Sequence, residues 1–501
     1  MHSTSQYRIE RRLLIREFYE TLHDKIRKSE RVAYRHYDEH RSYAEMYDFM
    51  RRLNSMLAGR KRRRVAIHAE KSFANYASIF AVILSNNTWV PINPDLPNKR
   101  NAEMLLLARP DLILTDRALS PELSSTIEEI GTQLVFLDEV MRLPSGPEFE
   151  FSKFDKDDLS MIYFTSGSTG KPKGVPLTHE NYILNVRNIL NIVDLKSGEV
   201  FADYHDLAFV ISVPILFPCV MCEGALAPAI DKRDMMLPME NMRENEVSVL
   251  ISVPSTMARI RKMRQDGLKE PHLSLVIMCG EPLHLDILDY ILSKLQVDQV
   301  YDFYGSTEVA PWIFCHECSA EDLSRFKAFG VIPIGMPIEG NSVRVDENDE
   351  LWVAGPQITP GYLGSEGKNR FVELEGARWY RTGDKVVVHD GHYLCKGRLD
   401  SQVKIGGYRI ELMDTEAHLR SMDGVDAAIC FVEGEGARKS IVAGLHSTRE
   451  IGLAEVRSHL KNLLPSYMLP RKTFVLKELP LNKSGKIDRF TVRANYEDGI
   501  S

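Results

Sequence analysis

Long apolar runs are missing from this chain of 501 residues. Its longest apolar stretch, residues 209–222, is interrupted by Ser212, Pro214 and Pro218. It is shorter than the roughly 20 residues that a membrane-spanning helix needs. The N-terminus has no apolar core and therefore cannot be a secretory signal. We expect a cytoplasmic protein with no membrane partner.

An excess of positive charge is also missing, because the formal net charge at pH 7 is -7. A chain with that charge is not expected to have nucleic acid as its main partner. Two basic clusters, residues 51–52 and 61–64, are interpreted as solvated loop residues between a helix and a strand.

Cysteine is scarce, and the count of seven is odd. Such usage is typical of reduced thiols rather than of a disulfide framework. Cys219 and Cys222, and likewise Cys315 and Cys318, have the spacing of zinc ligands, with His316 inside the second pair. The two pairs are too far apart for a common structural zinc site, and the first lies in an apolar segment. We therefore do not expect zinc, and a metal-sensing scaffold is a minor alternative.

The periodicity of apolar residues predicts an α/β fold. Strand-like runs at residues 161–164, 247–253 and 273–278 alternate with helical patterns such as residues 285–292. Alternating strands and helices predict parallel sheets covered by helices. From about residue 331, short strands with Gly and Pro turns predict a small β-rich subdomain.

A loop rich in hydroxyl groups, glycine and lysine, residues 165–174, directly follows the apolar run 161–164. Its backbone N–H groups and positive charge suit phosphate oxygens, which predicts a nucleotide phosphate loop. It is not the Walker loop, because Lys171 precedes Pro172 and position 165 is Thr. A P-loop ATPase is therefore excluded.

Further motifs follow this loop in a fixed order. They are residues 302–308 (DFYGSTE), 380–384 (YRTGD), 397–411 (GRLDSQVKIGGYRIE) and 481–489 (LNKSGKIDR), and an earlier block spans residues 89–100. Together they resemble the adenylate-forming superfamily, which contains acyl-CoA synthetases, luciferases and the adenylation domains of nonribosomal peptide synthetases. The block 89–100 is similar to that of peptide synthetase adenylation domains, and free-standing enzymes such as D-alanine:carrier protein ligases are the most similar group.

The resemblance implies ATP and Mg²⁺ as cofactors. Tyr304 would stack on adenine, Asp384 would accept hydrogen bonds from the ribose, and Glu308 with Thr165 would hold Mg²⁺. Lys486 would bridge the carboxylate, the α-phosphate and the ribose, so the implied catalytic residues are Lys486, Glu308 and Thr165. The implied nucleotide-binding set is Thr165, Ser166, Gly167, Ser168, Thr169, Gly170, Lys173, Gly280, Glu281, Asp302, Phe303, Tyr304, Gly305, Ser306, Thr307, Asp384, Arg398 and Lys486.

The resemblance also implies two domains joined at Asp400. Residues 1–399 would form the large adenylation domain, and residues 400–501 a small mobile α+β lid. Rotation at the hinge would bring either Lys486 or residues 405–407 to the site, the latter lining the thiol entrance. Many relatives have Arg where this chain has Gly407, so we expect different contacts on the thiol side.

Aligning the specificity segments of the family gives a predicted acyl pocket. Its residues are Asp206, Val210, Ile211, Pro214, Thr256, Ile277, Cys279, Phe303, Pro311 and Trp312.

Val210 stands where domains for α-amino acids have an aspartate. A buried ammonium without a counter-charge is costly, which disfavours an ordinary α-amino acid unless Asp206 serves instead. Phe303 and Trp312 would fill volume and favour a small or flat acid. The candidates are a β-amino acid, an aryl acid, a short aliphatic acid, or a small amino acid paired with Asp206.

The expected acceptor is a thiol. The chain ends 12 residues after Arg489 with no carrier domain, so we expect transfer to the phosphopantetheine of a separate carrier protein. Coenzyme A is the alternative, followed by a luciferase-like oxidation. A non-catalytic scaffold is disfavoured because the motif residues with chemical roles are all present.

Overall fold

The computed structural model describes residues 2–59, 62–151, 154–166, 171–263, 271–364, 370–399, 402–480, 487 and 489–499. The helices are α1 (His2–Lys28), α2 (Tyr43–Leu57), α3 (Phe73–Leu84), α4 (Asn98–Ala108), α5 (Pro121–Ile130), α6 (Leu137–Val140), α7 (His179–Ile192), α8 (Ser212–Met221), α9 (Lys232–Met236), α10 (Pro238–Glu244), α11 (Pro254–Lys262), α12 (Leu285–Lys294), α13 (Asp322–Arg325), α14 (Leu412–Leu419), α15 (Leu453–Leu460) and α16 (Arg489–Glu497).

The strands are β1 (Val32–His36), β2 (Glu39–Ser42), β3 (Arg64–His68), β4 (Thr88–Ile92), β5 (Leu112–Thr115), β6 (Gln133–Phe136), β7 (Leu159–Thr165), β8 (Lys173–Thr178), β9 (Val200–Asp203), β10 (Ala225–Pro228), β11 (Val249–Ser252), β12 (His272–Cys279), β13 (Gln296–Gly305), β14 (Trp312–Glu317), β15 (Met336–Pro337), β16 (Ser342–Val345), β17 (Glu350–Ala354), β18 (Phe371–Leu374), β19 (Ala377–His389), β20 (His392–Arg398), β21 (Gln402–Ile405), β22 (Tyr408–Glu411), β23 (Val425–Glu433), β24 (Ser440–Ser447) and β25 (Lys472–Val475).

Two sheets with parallel centres form the large N-terminal part. One has the strand order β6-β5-β3-β4-β7-β8 and the other β15-β14-β13-β12-β11-β9-β10-β1-β2. In the first sheet only the β7–β8 pair is antiparallel. Central strands such as β11 are buried along their whole length, as expected where helices cover both faces of a parallel sheet. The predicted α/β fold is confirmed.

Aromatic side chains from three helices join in the main core. The ring of Phe217 on α8 lies 4.8 Å from that of Tyr182 on α7 and 5.9 Å from that of Phe80 on α3, between centroids. Helix α7 begins after Thr178, whose side chain forms a capping box with Asn181. Strand β8 lies between the phosphate loop and this helix and pairs antiparallel with β7, so β7 and β8 carry the described ends of the loop.

The β-rich subdomain predicted from residue 331 is also present. Strands β16, β17, β19 and β18 pair in that order, with β20 on β19, and all of these pairs are antiparallel.

The C-terminal part is a compact α+β unit. Hairpin β21–β22 precedes the sheet β23-β24-β25, and α14 and α15 cover a core of its own around Ile410, Val456 and Leu460. The proposed boundary after residue 399 stays a prediction, because Asp400 lies outside the described residues.

The interpretation of Arg51 and Arg52 as loop residues is wrong. Both lie within α2, where the Nε atom of Arg51 donates to the carbonyl of Gly146 at 2.8 Å and that of Arg52 to Asp48 at 2.9 Å. The opposite face of this amphipathic helix is buried, so its polar face carries the arginines.

Within the part of the chain that the structure covers, no helix has the length and apolar composition needed to cross a bilayer.

Candidate active site

A cleft lies where the two large sheets meet the hairpin β21–β22. Its walls come from the end of β7, the segment between β9 and α8, the ends of β12 and β13, and the start of β14. Such a position is typical of open α/β sheets, whose ligands bind beyond the carboxyl ends of parallel strands. The enclosed part measures about 170 Å³.

The first residues of the phosphate loop contact the hairpin β21–β22 through hydrogen bonds. Thr165 ends β7 and lines the cleft. The hydroxyl of Ser166 donates to the carbonyl of Arg409 at 3.2 Å and accepts from the backbone N–H of Glu411 at 3.0 Å. Lys173 begins β8, with its ammonium 5.7 Å from the ring centroid of Tyr362. The predicted loop residues Gly167, Ser168, Thr169 and Gly170 lie outside the described residues.

Glu308 is a buried carboxylate held in an ion pair. Arg409 Nη1 lies 2.5 Å from its Oε2 atom, and the Tyr362 hydroxyl donates to Oε1 at 2.8 Å. The side chains are 1% exposed for Glu308 and 16% for Arg409. Burial alone would raise the pKa of Glu308, but the guanidinium and the hydroxyl outweigh it and lower the pKa to about 2. The carboxylate is therefore ionised at neutral pH.

A second cavity of about 430 Å³ adjoins the cleft on the side of the β-rich subdomain. The Tyr304 hydroxyl donates to Asp384, which also accepts from Arg398 Nη1 at 2.7 Å. Lys404 of the hairpin places its ammonium 5.7 Å from the Tyr304 ring centroid. The Oδ1 atom of Asp302 is buried without a hydrogen-bond partner, and burial raises the pKa of this carboxyl. An unpaired buried polar atom beside a cavity is a natural ligand contact.

Asp206 supplies the acidic group of the acyl side. It lines the cleft, accepts a hydrogen bond from the backbone N–H of Ala208 at 2.8 Å, and accepts another from the Asn93 amide. Burial raises the pKa of Asp206, since the N–H donors offset only part of the lost solvation. Trp312 also lines the cleft, and its ring packs against that of Phe303 with centroids 4.6 Å apart and planes tilted by 32°.

The structure brings most of the predicted site residues together. Those that line the cleft are Thr165, Ser166, Asp206, Val210, Ile211, Cys279, Gly280, Gly305, Ser306, Thr307, Pro311, Trp312, Asp384 and Arg398. Those that line the adjoining cavity include Glu281, Asp302, Phe303 and Tyr304.

Three predicted pocket residues lie elsewhere. Pro214 is inside α8 and Ile277 inside β12, both buried and neither among the residues that line the cleft. Thr256 lines a third cavity that adjoins the cleft on its other side. The predicted catalytic Lys486 and hinge Asp400 lie outside the described residues, so their roles stay predictions.

Sequence reasoning assigned no role to several residues that the structure places in the cleft. Lys404 and Arg409 stood within the hinge motif 397–411, so the motif contained them without showing what they contact. His205 is a neutral imidazole, because burial lowers its pKa to about 3, and it binds the Ser252 hydroxyl at 3.1 Å. Tyr408 also stood within this motif, and the structure shows its ring stacked on that of Tyr467 with centroids 3.9 Å apart.

Gly407 fits a position that other residues would strain. Its φ is +81°, its N–H donates to Glu281 Oε1 at 2.8 Å, and an added Cβ would lie 2.8 Å from Val253 Cγ1. The hairpin backbone thus contacts the β11–α11 connection directly, which a bulkier residue would prevent. This contact accounts for glycine at position 407.

The donor set suits a magnesium nucleotide. Glu308 offers an ionised carboxylate, and Thr165 and Ser306 offer hydroxyls, the Ser306 Oγ atom being buried without a partner. Among the described residues, no group of three or more His, Cys, Asp or Glu side chains could hold a metal ion. One carboxylate together with substrate phosphates is the usual magnesium environment, rather than an all-protein cage. Arg409 and a metal ion would have to alternate at Glu308.

Comparison with known proteins gives consistent matches. The model of the family described as AMP-binding enzyme matches residues 23–363. The D-alanine--D-alanyl carrier protein ligase of Staphylococcus haemolyticus is 27% identical over 476 residues, covering 92% of this chain and 95% of the ligase. Two solved structures share the fold at 22% identity. The Vibrio cholerae adenylation domain AlmE, in complex with glycyl-adenosine-5'-phosphate, has a TM-score of 0.82 over 96% of this chain and 98% of its own. The o-succinylbenzoate CoA synthetase of Bacillus subtilis has a TM-score of 0.81 over 95% and 98%.

Proposed function

The chain belongs to the family of AMP-binding enzymes and is an AMP-forming ligase, and from that premise we propose that it activates a small amino acid. The acid would become an acyl-adenylate at the expense of ATP. The acyl group would then pass to the phosphopantetheine thiol of a separate carrier protein. The observation that carries the amino acid assignment is the partly buried carboxylate of Asp206 on the wall of the cleft.

Asp206 suits a substrate ammonium because its present partners are neutral N–H donors. Among the described residues, no cationic side chain forms an ion pair with it. A bound ammonium would supply the missing charge, whereas an aryl or aliphatic acid would cover the carboxylate without pairing it, which costs free energy. Val210 also lines the cleft but cannot pair with an amine.

The size of the cleft favours a short side chain. Its volume is about 170 Å³, and Pro311 and Trp312 line it, the Trp312 ring being packed against that of Phe303 behind it. A long acyl chain would need these aromatic rings to move, whereas a small amino acid would not.

The nucleoside would occupy the adjoining cavity of about 430 Å³. Tyr304 offers a ring for the base, and the unpaired Oδ1 atom of Asp302 can contact an exocyclic amine of that base. Asp384 is positioned by Tyr304 and Arg398 and can accept the ribose hydroxyls.

In the first half-reaction, a substrate carboxylate oxygen would attack the α-phosphorus of ATP while the bond to the β-phosphate oxygen breaks and pyrophosphate leaves. Two anions approach each other, so cationic groups must offset the repulsion. Lys173 at the start of β8 and the predicted Lys486 are the lysines proposed for this task. Mg²⁺, when bound at Glu308 and Thr165, would neutralise phosphate charge. In the second half-reaction the thiol would attack the acyl carbon, and AMP would leave.

A carrier protein is favoured as acceptor because a relative matched over 92% of this chain is named a carrier protein ligase. A further solved structure with a TM-score of 0.80 is described as containing adenylation and PCP domains. Coenzyme A remains the alternative acceptor.

The test is amino-acid-dependent exchange of pyrophosphate into ATP. The panel pairs small α- and β-amino acids with their des-amino analogues, for example alanine with propionate. We expect exchange with an amino acid and a loss of at least about 10²-fold in Asp206→Asn, because the ammonium then lacks its counter-charge. Lys486→Ala serves as the control for catalysis and should lose about 10²–10³-fold. Equal exchange with propionate and alanine would contradict the amine assignment.

A further inference from the structure

The block of residues 89–100 meets the acyl side of the cleft through one side chain. Strand β4 ends at Ile92, and Asn93 is the first residue after it. Because β4 pairs in parallel with β3 and β7, its carboxyl end lies at the sheet edge where the cleft opens. Leu96 and Arg100 of the block line the cleft, whereas Asn93 is not among the lining residues. Asn93 can therefore act on a substrate only through another residue.

The turn after β4 fixes the orientation of the Asn93 side chain. Its Oδ1 atom accepts the backbone N–H of Asp95 at 2.7 Å, an arrangement known as an Asx turn. The Asn93 carbonyl accepts from the backbone N–H of Leu96 at 3.2 Å and from the buried Asn101 amide at 2.9 Å. Because Oδ1 is engaged by an N–H donor, the amide nitrogen must point away from the turn. It donates to the Oδ2 atom of Asp206.

Asp206 is held at both of its carboxylate oxygens. Oδ1 accepts from the backbone N–H of Ala208 at 2.8 Å, and Oδ2 accepts from the Asn93 amide. The first donor belongs to the same loop as Asp206, whereas Asn93 comes from a segment 113 residues earlier. Each carboxylate oxygen can accept a second hydrogen bond, so a ligand donor can still be bound. Both donors favour the ionised form of the carboxyl, against the burial that raises its pKa.

We propose that Asn93 is a positioning residue that determines specificity for the substrate amine. Its amide holds Asp206 as an oriented, ionised acceptor, and so sets the preference for an amino acid over the same acid without its amine. This inference rests on the proposed function, because it takes from it that Asp206 faces that amine. It goes further by giving a role to the block 89–100, which lies outside the predicted acyl pocket.

Charged and titratable groups of both parts of the chain surround Asp206. They are Lys71, Asp203 and His205 on the large part, and Tyr408 and Tyr467 on the C-terminal unit. Besides burial and the two N–H donors, the opposing charges of Lys71 and Asp203 act on the pKa of Asp206. Burial raises the pKa of both tyrosines and lowers that of the histidine to about 3. These three groups stay neutral between pH 6 and 8, so a pH dependence that appears only in a variant at position 93 reports on its carboxyl groups.

The test is the amine preference of pyrophosphate exchange, measured as the ratio of kcat/KM for an amine to kcat/KM for its des-amino partner. The probes are glycine with acetate, alanine with propionate, and β-alanine with propionate. Asn93→Ala removes the donor, and we expect the preference of the most favoured pair to fall about tenfold, because a hydrogen bond to a charged group is lost. The KM for ATP should stay unchanged, because Asn93 lies on the acyl side.

Asn93→Asp separates the hydrogen bond to Asp206 from the turn. The aspartate keeps an oxygen acceptor for the N–H of Asp95 but puts a second carboxyl beside Asp206, and two neighbouring carboxylates raise the pKa of one of them. The amine preference of this variant should therefore fall from pH 8 to pH 6 by more than that of the wild-type chain. Asn98→Asp, at the exposed first residue of α4, adds the same charge within the same block and should match wild type at both pH values.

A purely structural role of Asn93 in the turn predicts a different result. Asn93→Asp would then match the wild-type chain at both pH values, and that outcome would overturn the inference, as would an unchanged preference in Asn93→Ala. Failure of the proposed function is distinguishable from this, because the wild-type chain itself would then prefer none of the three amines to its partner. A wild-type preference that both variants retain refutes the role of Asn93 alone.

Discussion

Replacing Arg409 with alanine tests whether the lid and the metal nucleotide compete for Glu308. Here the lid means the C-terminal unit that begins with hairpin β21–β22. Arg409 of this hairpin lies 2.5 Å from the carboxylate, which is 1% exposed. Without the guanidinium, the hairpin would cover a buried carboxylate whose described partner is the Tyr362 hydroxyl. If the unit rotates as the resemblance implies, the substitution destabilises the observed orientation relative to any in which Arg409 leaves Glu308.

The size of the effect follows from two independent considerations. Removing one partner of a buried ion pair costs about 3–5 kcal/mol. The pKa of Glu308, lowered from 4.5 to about 2, corresponds to about 3 kcal/mol of interaction. We therefore expect the observed orientation to lose about 3 kcal/mol, which is on the order of 10² in population.

That change in population should appear in nucleotide affinity. In the observed orientation the hairpin occupies Ser166 and Glu308, which the resemblance assigns to phosphate and metal. Apparent affinity is reduced by the fraction of molecules that are not competent to bind. Arg409→Ala should thus bind a magnesium complex of a non-hydrolysable ATP analogue more tightly, by up to about 10²-fold where the observed orientation dominates the free enzyme. Thiol transfer from a preformed adenylate should slow.

Calorimetric titration without the amino acid measures this affinity directly. Arg409→Lys keeps a charge but loses the planar contact and should lie between wild type and alanine. Arg449→Ala, at an exposed lid position, should match wild type. An unchanged or weaker affinity in a folded Arg409→Ala protein would refute the competition.

Three further perturbations have expected outcomes. Gly407→Ala places a Cβ 2.8 Å from Val253 Cγ1 at a φ of +81°. Because both the contact and the φ are unfavourable for alanine, thiol transfer should slow about tenfold or more in single-turnover assays. Adding Val253→Ala should recover part of that loss. With Asp206→Asn, the KM for the amino acid should rise far more than the KM for ATP in exchange assays, and a parallel rise in both would contradict the amine role. His179 is fully buried, and burial lowers its pKa from 6.5 to about 3. On acidification the unfolded chain takes up a proton at this imidazole before the folded chain does, so His179 alone should lower stability by about 2 kcal/mol from pH 6.5 to 5. In denaturant titrations His179→Gln should reduce the pH dependence of stability by that amount.

The sheets could be predicted from sequence because their strands carry their own signal. The run 161–164 is apolar throughout, as a strand buried on both faces must be, and it appears within β7. The Thr178 cap of α7 was equally local, since the hydroxyl bonds the backbone three residues on. Features that depend on neighbouring residues could therefore be predicted from the sequence.

Contacts between distant segments could not be predicted from the sequence. Arg409 and Glu308 are 101 positions apart, and nothing near either residue shows that they pair in this lid orientation. A second ion pair joins α4 to α14, between Arg100 and Asp414 at 3.1 Å with both side chains buried. These two residues are even more distant in the sequence, so no local pattern connects them. Pairing of this kind depends on how the C-terminal unit packs against the large N-terminal part, which a motif in one segment does not encode.

The choice between Asp206 and Val210 also needed the structure. The sequence leaves both positions open as the one that faces a substrate amine. Both side chains line the cleft, so position does not separate them. Our proposal of Asp206 rests on chemistry, because a carboxylate among neutral donors lacks a counter-charge that an ammonium would supply, whereas valine needs none.

The hairpin β21–β22 contacts the two ends of the proposed nucleotide site differently. Ser166 and Glu308, at the end assigned to the phosphates and the metal, are both engaged by residues 409–411. The cavity at Tyr304 and Asp384 keeps a volume of about 430 Å³ beside the same hairpin. A ligand with a nucleoside and one phosphate can occupy that cavity, while one with a triphosphate would meet the hairpin. Under the proposed function, the observed orientation therefore suits an acyl-adenylate better than ATP.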